Sequence, residues 1–425
     1  MIKNGHKDIS FLSRSGLLKY PRQKLHCTDC NAHFVPLDTI LPQHNGRIVF
    51  PGFEEMSCLL ASGLPYEQAE RLMGFFCDDE NIISDHSIEN IAMRCGEDLR
   101  NYIKQTQEEF DAESSFVPKN SRKQKEWPAE IKEAVGDLIH QNNSGQIPEG
   151  LSRYDWKRAK QYYNENYAPL TPLTPLKPID EEFLGKLSQL GPKPQPGELL
   201  VFVDEILVNH WEPQVKYLQH LIAVLITTAG IYYLSGQNLV EEIGLLVKKI
   251  NPQSITVIAD GAKWITREIS NGVLSDFTNK TLILDWYHLE KKSKDLLSMI
   301  CNGKTEKNDV FSPLMLELWH GNVDAALVRL TALNDKCRNK GKLSELINYI
   351  DTRRESIPNY DLRRKKCLYN GSGIVEKTND LLVARRQKNT SMQWTRRGGD
   401  ALLAFKTIQY NKQWDSYWVH RGNVA

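Results

Sequence analysis

Residues 254–292 read SITVIADGAKWITREISNGVLSDFTNKTLILDWYHLEKK, and the fold turns on how the two ends of this stretch are read. Each end carries a short apolar run that stops abruptly at an acid, Asp260 in the first case and Asp285 in the second. Apolar runs of roughly four to eight residues bounded by turn signals suit strands buried on both faces of a mixed or parallel sheet. Acids at the C-terminal ends of such strands sit where open α/β sheets place their chemistry. A third run of the same design, GELLVFVDE, comes earlier and ends at Asp204. Together the three predict an α/β fold with carboxylates along one edge of its sheet.

GELLVFVDEILVN is expected to continue into or pair with QHLIAVLITTAGIYYLSGQN, which has an expected hairpin turn of its own at Thr228, Ala229 and Gly230. The amphipathic stretch LVEEIGLLVKKI then crosses over to SITVIAD, and KTLILD follows. A hairpin meander followed by strand, helix, strand and strand matches a ribonuclease-H-like mixed sheet, in which the first and fourth strands lie side by side. Neighbouring strands are about 4.8 Å apart, so Asp204 and Asp260 could share a divalent ion. Two such ions about 3.5–4 Å apart can serve an in-line phosphoryl displacement, and Mg²⁺ suits a site with few carboxylates and several waters. Asp285 lies one strand further out and is expected to support the active-site loop. After His288 the pattern is helical, which predicts an insertion at about 295–360.

The third acid is expected on a helix returning to the sheet edge. NGSGIVEKTNDLLVARRQKNTSMQWTRRGGDALLAFKTIQY supplies Glu376 shortly after a Gly-Ser-Gly turn. Gly371 and Gly373 would permit close approach or positive φ, and Ser372 could cap the helix. A competing reading makes Glu376 a carboxylate that stabilises the helix N-terminus. Arg385, Arg386, Lys388, Arg396 and Arg397 follow as candidate phosphate contacts, and Trp394 could stack on an unpaired base or pack internally.

At 425 residues, with 40% hydrophobic and 25% charged residues, the chain reads as a soluble protein of two or three domains. It has no apolar run of membrane-spanning length, and its opening MIKNGHKDISFL lacks the apolar centre of a secretory signal. A cytoplasmic protein with reduced thiols is the expectation. The net charge is only +1, yet residues 361–425 hold 13 Lys/Arg against 5 Asp/Glu, which suggests a polyanionic partner.

The domain reading runs from a partial zinc-ribbon-like segment at 1–50, through a helical, helix-turn-helix-like DNA-binding region at 51–165 and a Pro-rich linker at 166–197, to a catalytic domain at 198–425. In the first segment Cys27 and Cys30 form half of a tetrahedral Zn²⁺ site, with His6, His33 and His44 as possible completions. The alternative is a metal-free knuckle.

VFVDE, IADGAKWI, LDWYHLEKK and GSGIVEK, followed by ARRQKNTSMQWTRRGGDALLAFK, resemble the DDE transposases of bacterial insertion sequences. The likeness is to the Kra-type group and, more distantly, to the Mutator-like transposases, and it covers most of the chain from about Cys27 onward. It implies a catalytic and metal-binding triad of Asp204, Asp260 and Glu376, with Asp285 and His288 as the supporting Asp-x-x-His element. The implied activity is Mg²⁺- or Mn²⁺-dependent cleavage of DNA ends and strand transfer, on double-stranded DNA and as a homo-oligomer. Two features depart from the pattern: only one cysteine pair is present, and Glu205 rather than glycine follows Asp204. A catalytically silent DNA-binding descendant and a nuclease without strand transfer stand as the alternatives.

Overall fold

The computed structural model describes residues 1–36, 43–44, 47–118, 192–366, 368–388 and 392–424. Residues 119–165, expected as charged helices, and most of the Pro-rich linker, 166–191, lie outside these. The chain divides into two compact units, one of residues 1–118, 194–359 and 370–425 and the other of 119–193 and 360–369.

The first unit opens on a β-ribbon. β1 (Ile2–Ser13) and β2 (Gly16–His26) pair antiparallel, and β3 (His33–Phe34), β4 (Gln43–His44) and β5 (Arg47–Val49) complete a sheet ordered β3-β2-β1-β5-β4. This ribbon is hard to read from the residue pattern because, among the described residues, its buried apolar side chains are Phe11, Leu12 and Val49. Next come α1 (Pro51–Gly63), α2 (Tyr66–Cys77) and α3 (Asp85–Glu108), the last capped by Ser84, which accepts the Ser87 N–H. Ile88, Ile91, Ala92, Cys95 and Leu99 bury one face of α3. That helix packs on α1, α2 and the helix at Arg396–Tyr410, so closely that a Cβ on Gly96 would stand 2.4 Å from the Ala401 Cβ. The exposed residues of α3 mix Asp85, Asp98 and Glu108 with Arg100 and Lys104, so this helix of the region expected to bind DNA carries no excess of positive charge.

The main sheet comprises β6 (Glu198–Asn209), β7 (Tyr217–Ile226), β8 (Ile231–Ser235), β9 (Ser254–Ala259) and β10 (Lys280–Leu284), ordered β10-β9-β6-β7-β8. β6, β7 and β8 form the antiparallel meander, while β9 runs parallel to both β6 and β10. The protein is therefore a mixed α/β structure whose first and fourth sheet strands are neighbours. Between β8 and β9, α4 (Leu239–Ile250) crosses over and buries Ile243, Leu246 and Val247 against Leu199, Val201 and Val203 of β6 and Val257 of β9. Strand side chains alternate, so Leu200, Phe202 and Asp204 face the opposite side.

At the outer edge, Val117 exchanges two backbone hydrogen bonds with Ile231 at 2.8 and 2.9 Å and so covers the first residue of β8. Gly230 closes the expected turn, and a Cβ there would lie 2.1 Å from the Val117 carbonyl oxygen.

Past β10 the described chain is helical: α5 (Trp286–Ile300), α6 (Lys304–Trp319), α7 (Val323–Thr331) and α8 (Lys340–Asp351). In the second unit, α9 (Tyr360–Lys365) carries an Arg364–Asp361 ion pair of 3.1 Å. The first unit resumes with α10 (Gly373–Asn379), continues through a π-helical turn at Asp380–Ala384, and ends with α11 (Arg396–Tyr410) and α12 (Trp414–Val424). No helix among the described residues is long and apolar enough to cross a membrane.

Candidate active site

Strand register builds one row of acids. Phe202 of β6 pairs with Ile258 of β9, so the same parallel register carried two residues on sets Asp204 opposite Asp260. Ala259 pairs with Leu284, which sets Asp285 opposite Asp260 on the other side. Alternation puts all three on the face away from α4. Glu205 falls on the other face and accepts a hydrogen bond from the Gln219 side chain, so it does not replace Asp204.

Helix α10 meets this row from the side. The Asn379 amide Nδ2 donates to Oδ2 of Asp204 at 2.6 Å, while Oδ1 of Asp204 accepts the Glu205 backbone N–H at 2.8 Å. Burial pushes the Asp204 carboxyl up to about 6. The Glu205 N–H opposes that rise, the charges of Asp260 and Glu376 add to it, and His288 works against it. Asp204, Asp260, His288 and Glu376 therefore act on one another within a single electrostatic cluster.

Asp285 has a different job. Its side chain is fully buried and caps α5, Oδ1 accepting the His288 backbone N–H at 2.9 Å. Oδ2 accepts both the backbone N–H and the hydroxyl of Ser372. Burial opposes ionisation of Asp285, but hydrogen bonds from His288 and Ser372 outweigh it and hold the carboxyl below its ordinary value. The Ser372 hydroxyl thus anchors the Gly-Ser-Gly turn to the sheet, and α10 has no side-chain cap, contrary to the capping role expected for it. Gly371 approaches closely enough that a Cβ would stand 2.7 Å from the Tyr287 ring. Gly373 has open space around it and no positive φ, so only the first glycine is required by its surroundings.

His288 joins the two halves of the site. Its Nδ1 lies 3.5 Å from Oδ1 of Asp285 and 3.8 Å from Oε1 of Glu376. The Asp285 contact raises its pKa against the effect of burial, and the charges of Asp260 and Glu376 act in the same direction. Among the described residues, Asp285, His288 and Glu376 are the group whose ligand atoms all fall within 4.8 Å of one another. The triad of Asp204, Asp260 and Glu376 is more open than that, while remaining within mutual electrostatic reach.

Two positioning residues escaped the sequence reading. Asn379 follows Glu376 by three residues on α10, a spacing that places both on one helix face and could have flagged it. Arg353 gave no such signal. It lies just beyond α8 and donates from Nε and Nη2 to the Gly261 carbonyl at 3.0 and 2.6 Å, bracing the backbone that follows Asp260. Gly261 takes φ +83°, and a Cβ would meet Arg353 Nε at 2.6 Å, so glycine is needed there.

The expected DNA contacts divide. Arg386 is buried, donates to the Ala61 carbonyl at 2.8 Å and lies over the rings of Tyr66 and Trp394, so it cannot grip a phosphate. Trp394 is buried too. Its indole N–H donates to the Gln387 carbonyl at 2.9 Å, and its backbone bonds Asn209 and Trp211 beside the end of β6, which rules out base stacking. Arg385, Arg396 and Arg397 stay at the surface, paired with Asp380, the Gln219 carbonyl and Glu97 respectively, and Lys388 is exposed.

Cys27 and Cys30 sit in the turn between β2 and β3, where the Cys27 N–H donates to the Ala32 carbonyl at 2.9 Å. Backbone N–H groups of Cys30 and Asp29 lower the Cys27 thiol pKa. Among the described residues no third ligand joins these two thiols, so the Zn²⁺ expectation is left with half a site. His26 instead contacts Asn31 at 2.6 Å, and His33 lies 3.5 Å from Asn4. The His44 side chain is outside the described residues.

No family model matches the chain, and neither a curated protein nor a solved structure is similar enough to count as a match.

Proposed function

We propose that this chain is a DDE-type DNA transposase: a divalent-metal-dependent phosphoryl-transfer enzyme on a ribonuclease-H-like catalytic fold. The observation that carries the reading is the convergence of Asp204, Asp260 and Glu376 from two adjacent parallel strands and a helix bonded to the first of them. The order β10-β9-β6-β7-β8, with β7 alone running against the other four strands, supports the fold assignment.

The donor set fits a hard cation. Three carboxylates repel one another, and Asp204 is desolvated as well, so a bound positive charge is the natural compensation. Asp204, Asp260 and Glu376 would hold Mg²⁺ or Mn²⁺. Divalent ions in such a site supply Lewis-acid activation of an attacking oxygen and neutralise charge on the leaving oxygen. In the cleavage reaction a water oxygen bonds to phosphorus as the P–O3′ bond breaks and the strand departs with a 3′-hydroxyl. In transfer that hydroxyl attacks a target phosphate in the same way. Asp285 and Ser372 fix the turn that presents Glu376, Arg353 braces the backbone after Asp260, and Asn379 orients Asp204.

The partner is double-stranded DNA, the element ends and the target, engaged by a homo-oligomer. Lys388, Arg385, Arg396 and Arg397 are the phosphate contacts of this reading. Exposed ion pairs are worth about 0–1 kcal/mol, so Arg385 and Arg397 can exchange Asp380 and Glu97 for phosphate at little cost.

The test is incubation of the purified protein with Mg²⁺ or Mn²⁺ and a labelled duplex bearing the flanking element end, alongside Asp260→Ala. Cleavage lost in the variant supports the reading. DNA binding with no cleavage by either protein refutes the enzyme and leaves the DNA-binding descendant. Cleavage without subsequent joining leaves the nuclease.

A further inference from the structure

We propose that Asn379 is a positioning residue of the metal centre, locking the Asp204 carboxylate and, through its place on α10, setting the spacing between Asp204 and Glu376. The proposal rests on the reading of this site as metal-dependent and extends it to a residue outside the acid triad.

Three observations converge on Asn379. The first is the 2.6 Å bond from its Nδ2 to Oδ2 of Asp204, which links residues 175 positions apart. With the Glu205 N–H on Oδ1, each oxygen of Asp204 carries one donor and keeps lone-pair capacity for a cation. The second is covalent connectivity. Asn379 and Glu376 lie three residues apart on one helix, so a bond fixing Asn379 to β6 also fixes where Glu376 can stand relative to Asp204.

The third is the other end of the amide. Asn379 is only 7% exposed, and its Oδ1 is buried without a hydrogen-bond partner. An unmet acceptor on an amide already bonded to the Asp204 carboxylate is of use to an O–H donor, and water in the shell of a hydrated cation is such a donor. Donation to Asp204 and acceptance from that water would orient both sides of the ion. Mutating residues that orient metal ligands in this way typically costs about 10- to 100-fold in metal affinity or activity.

The measurement is Mn²⁺ binding to the full chain, followed by the electron paramagnetic resonance signal of the free ion, for wild type, Asn379→Ala and Asn379→Leu, with thermal unfolding of each in EDTA. Loss of the positioning bond is expected to weaken Mn²⁺ binding about 10- to 100-fold. The EDTA melting temperature of at least one variant should stay close to wild type, which separates positioning from a general structural role. Leucine keeps the side-chain volume without the donor and serves if the alanine variant does not fold. Wild-type affinity in either folded variant overturns the proposal and leaves the metal reading intact. No Mn²⁺ binding by the wild type overturns the metal reading itself, and this proposal with it.

Discussion

Asp204→Asn is expected to stabilise the metal-free protein at neutral pH while removing its response to divalent ions. The ordinary aspartate pKa is near 4, whereas burial and the neighbouring carboxylates bring Asp204 up to about 6. At 1.36 kcal/mol per tenfold change, that difference amounts to about 3 kcal/mol of strain in the ionised site. Asp204 is partly solvated, and the asparagine amide must find its own hydrogen bonds, so about 1–2 kcal/mol is the expected gain. The carboxamide oxygen can still accept from the Glu205 N–H or from Asn379, which keeps the geometry close.

The sign follows from linkage. Because the folded-state pKa lies above the unfolded one, protonated Asp204 contributes its full stability below about pH 4. That contribution is lost as pH rises through about 6. The variant should therefore exceed wild type in urea unfolding at pH 7.5 in EDTA, and its advantage should shrink toward pH 4.5. Adding Mg²⁺ at 100 times its Kd stabilises a binding protein by about 2.7 kcal/mol, a gain expected for wild type and absent in the variant. An equal stability difference at pH 4.5 and 7.5 would show that the effect owes nothing to ionisation of Asp204.

Ser372→Ala removes a hydroxyl donor from the buried Asp285 carboxylate and should cost about 1.5–3 kcal/mol in urea unfolding, together with slower end cleavage as the Glu376 turn loosens. Gly230→Ala places a Cβ against the Val117 carbonyl and should lower stability by more than about 1 kcal/mol, with faster amide exchange at Ile231 as the edge bonds open. Trp394→Ala should cost about 3–5 kcal/mol through lost packing, with the salt dependence of DNA binding unchanged. Weakened DNA binding at unaltered stability would restore Trp394 to the DNA surface.

The sheet was legible because its strands advertise themselves. Residues 199–203 and 255–259 are buried on both faces and apolar but for Thr256, and the acids after them mark where the apolar runs stop. The β1–β2 ribbon was not, because an exposed ribbon has little apolar patterning to read. The packing of α3 was equally hidden: Gly96 looks like an ordinary helical glycine until Ala401, some 300 residues later, lies against it. The place of Trp394, left open between base stacking and packing, and that of Arg386, expected at a phosphate, were hidden for a related reason. A basic, aromatic stretch looks the same in sequence whether it faces solvent or folds under the end of β6, and only the bonds to Asn209, Gln387 and Ala61 distinguish the two.

Two groups compete as the metal-binding set of the proposed function, and hydrogen bonding separates them. Asp285, His288 and Glu376 stand closest together, yet Asp285 has no exposure and its oxygens already accept from His288 and Ser372. Ligation through Asp285 would have to compete with bonds that hold both the start of α5 and the turn before α10. Asp204 carries a single donor on each oxygen, is partly exposed, and bears a raised pKa that a cation would reverse. A hydrated hard ion needs carboxylates of that second kind, with lone pairs to spare and within reach of water. Glu376 belongs to both groups, and the Asp285–Ser372 lock is what brings it there. Under the proposed function the closest cluster in the site is thus its scaffold, and the more open triad beside it is the proposed place for a cation and a phosphate.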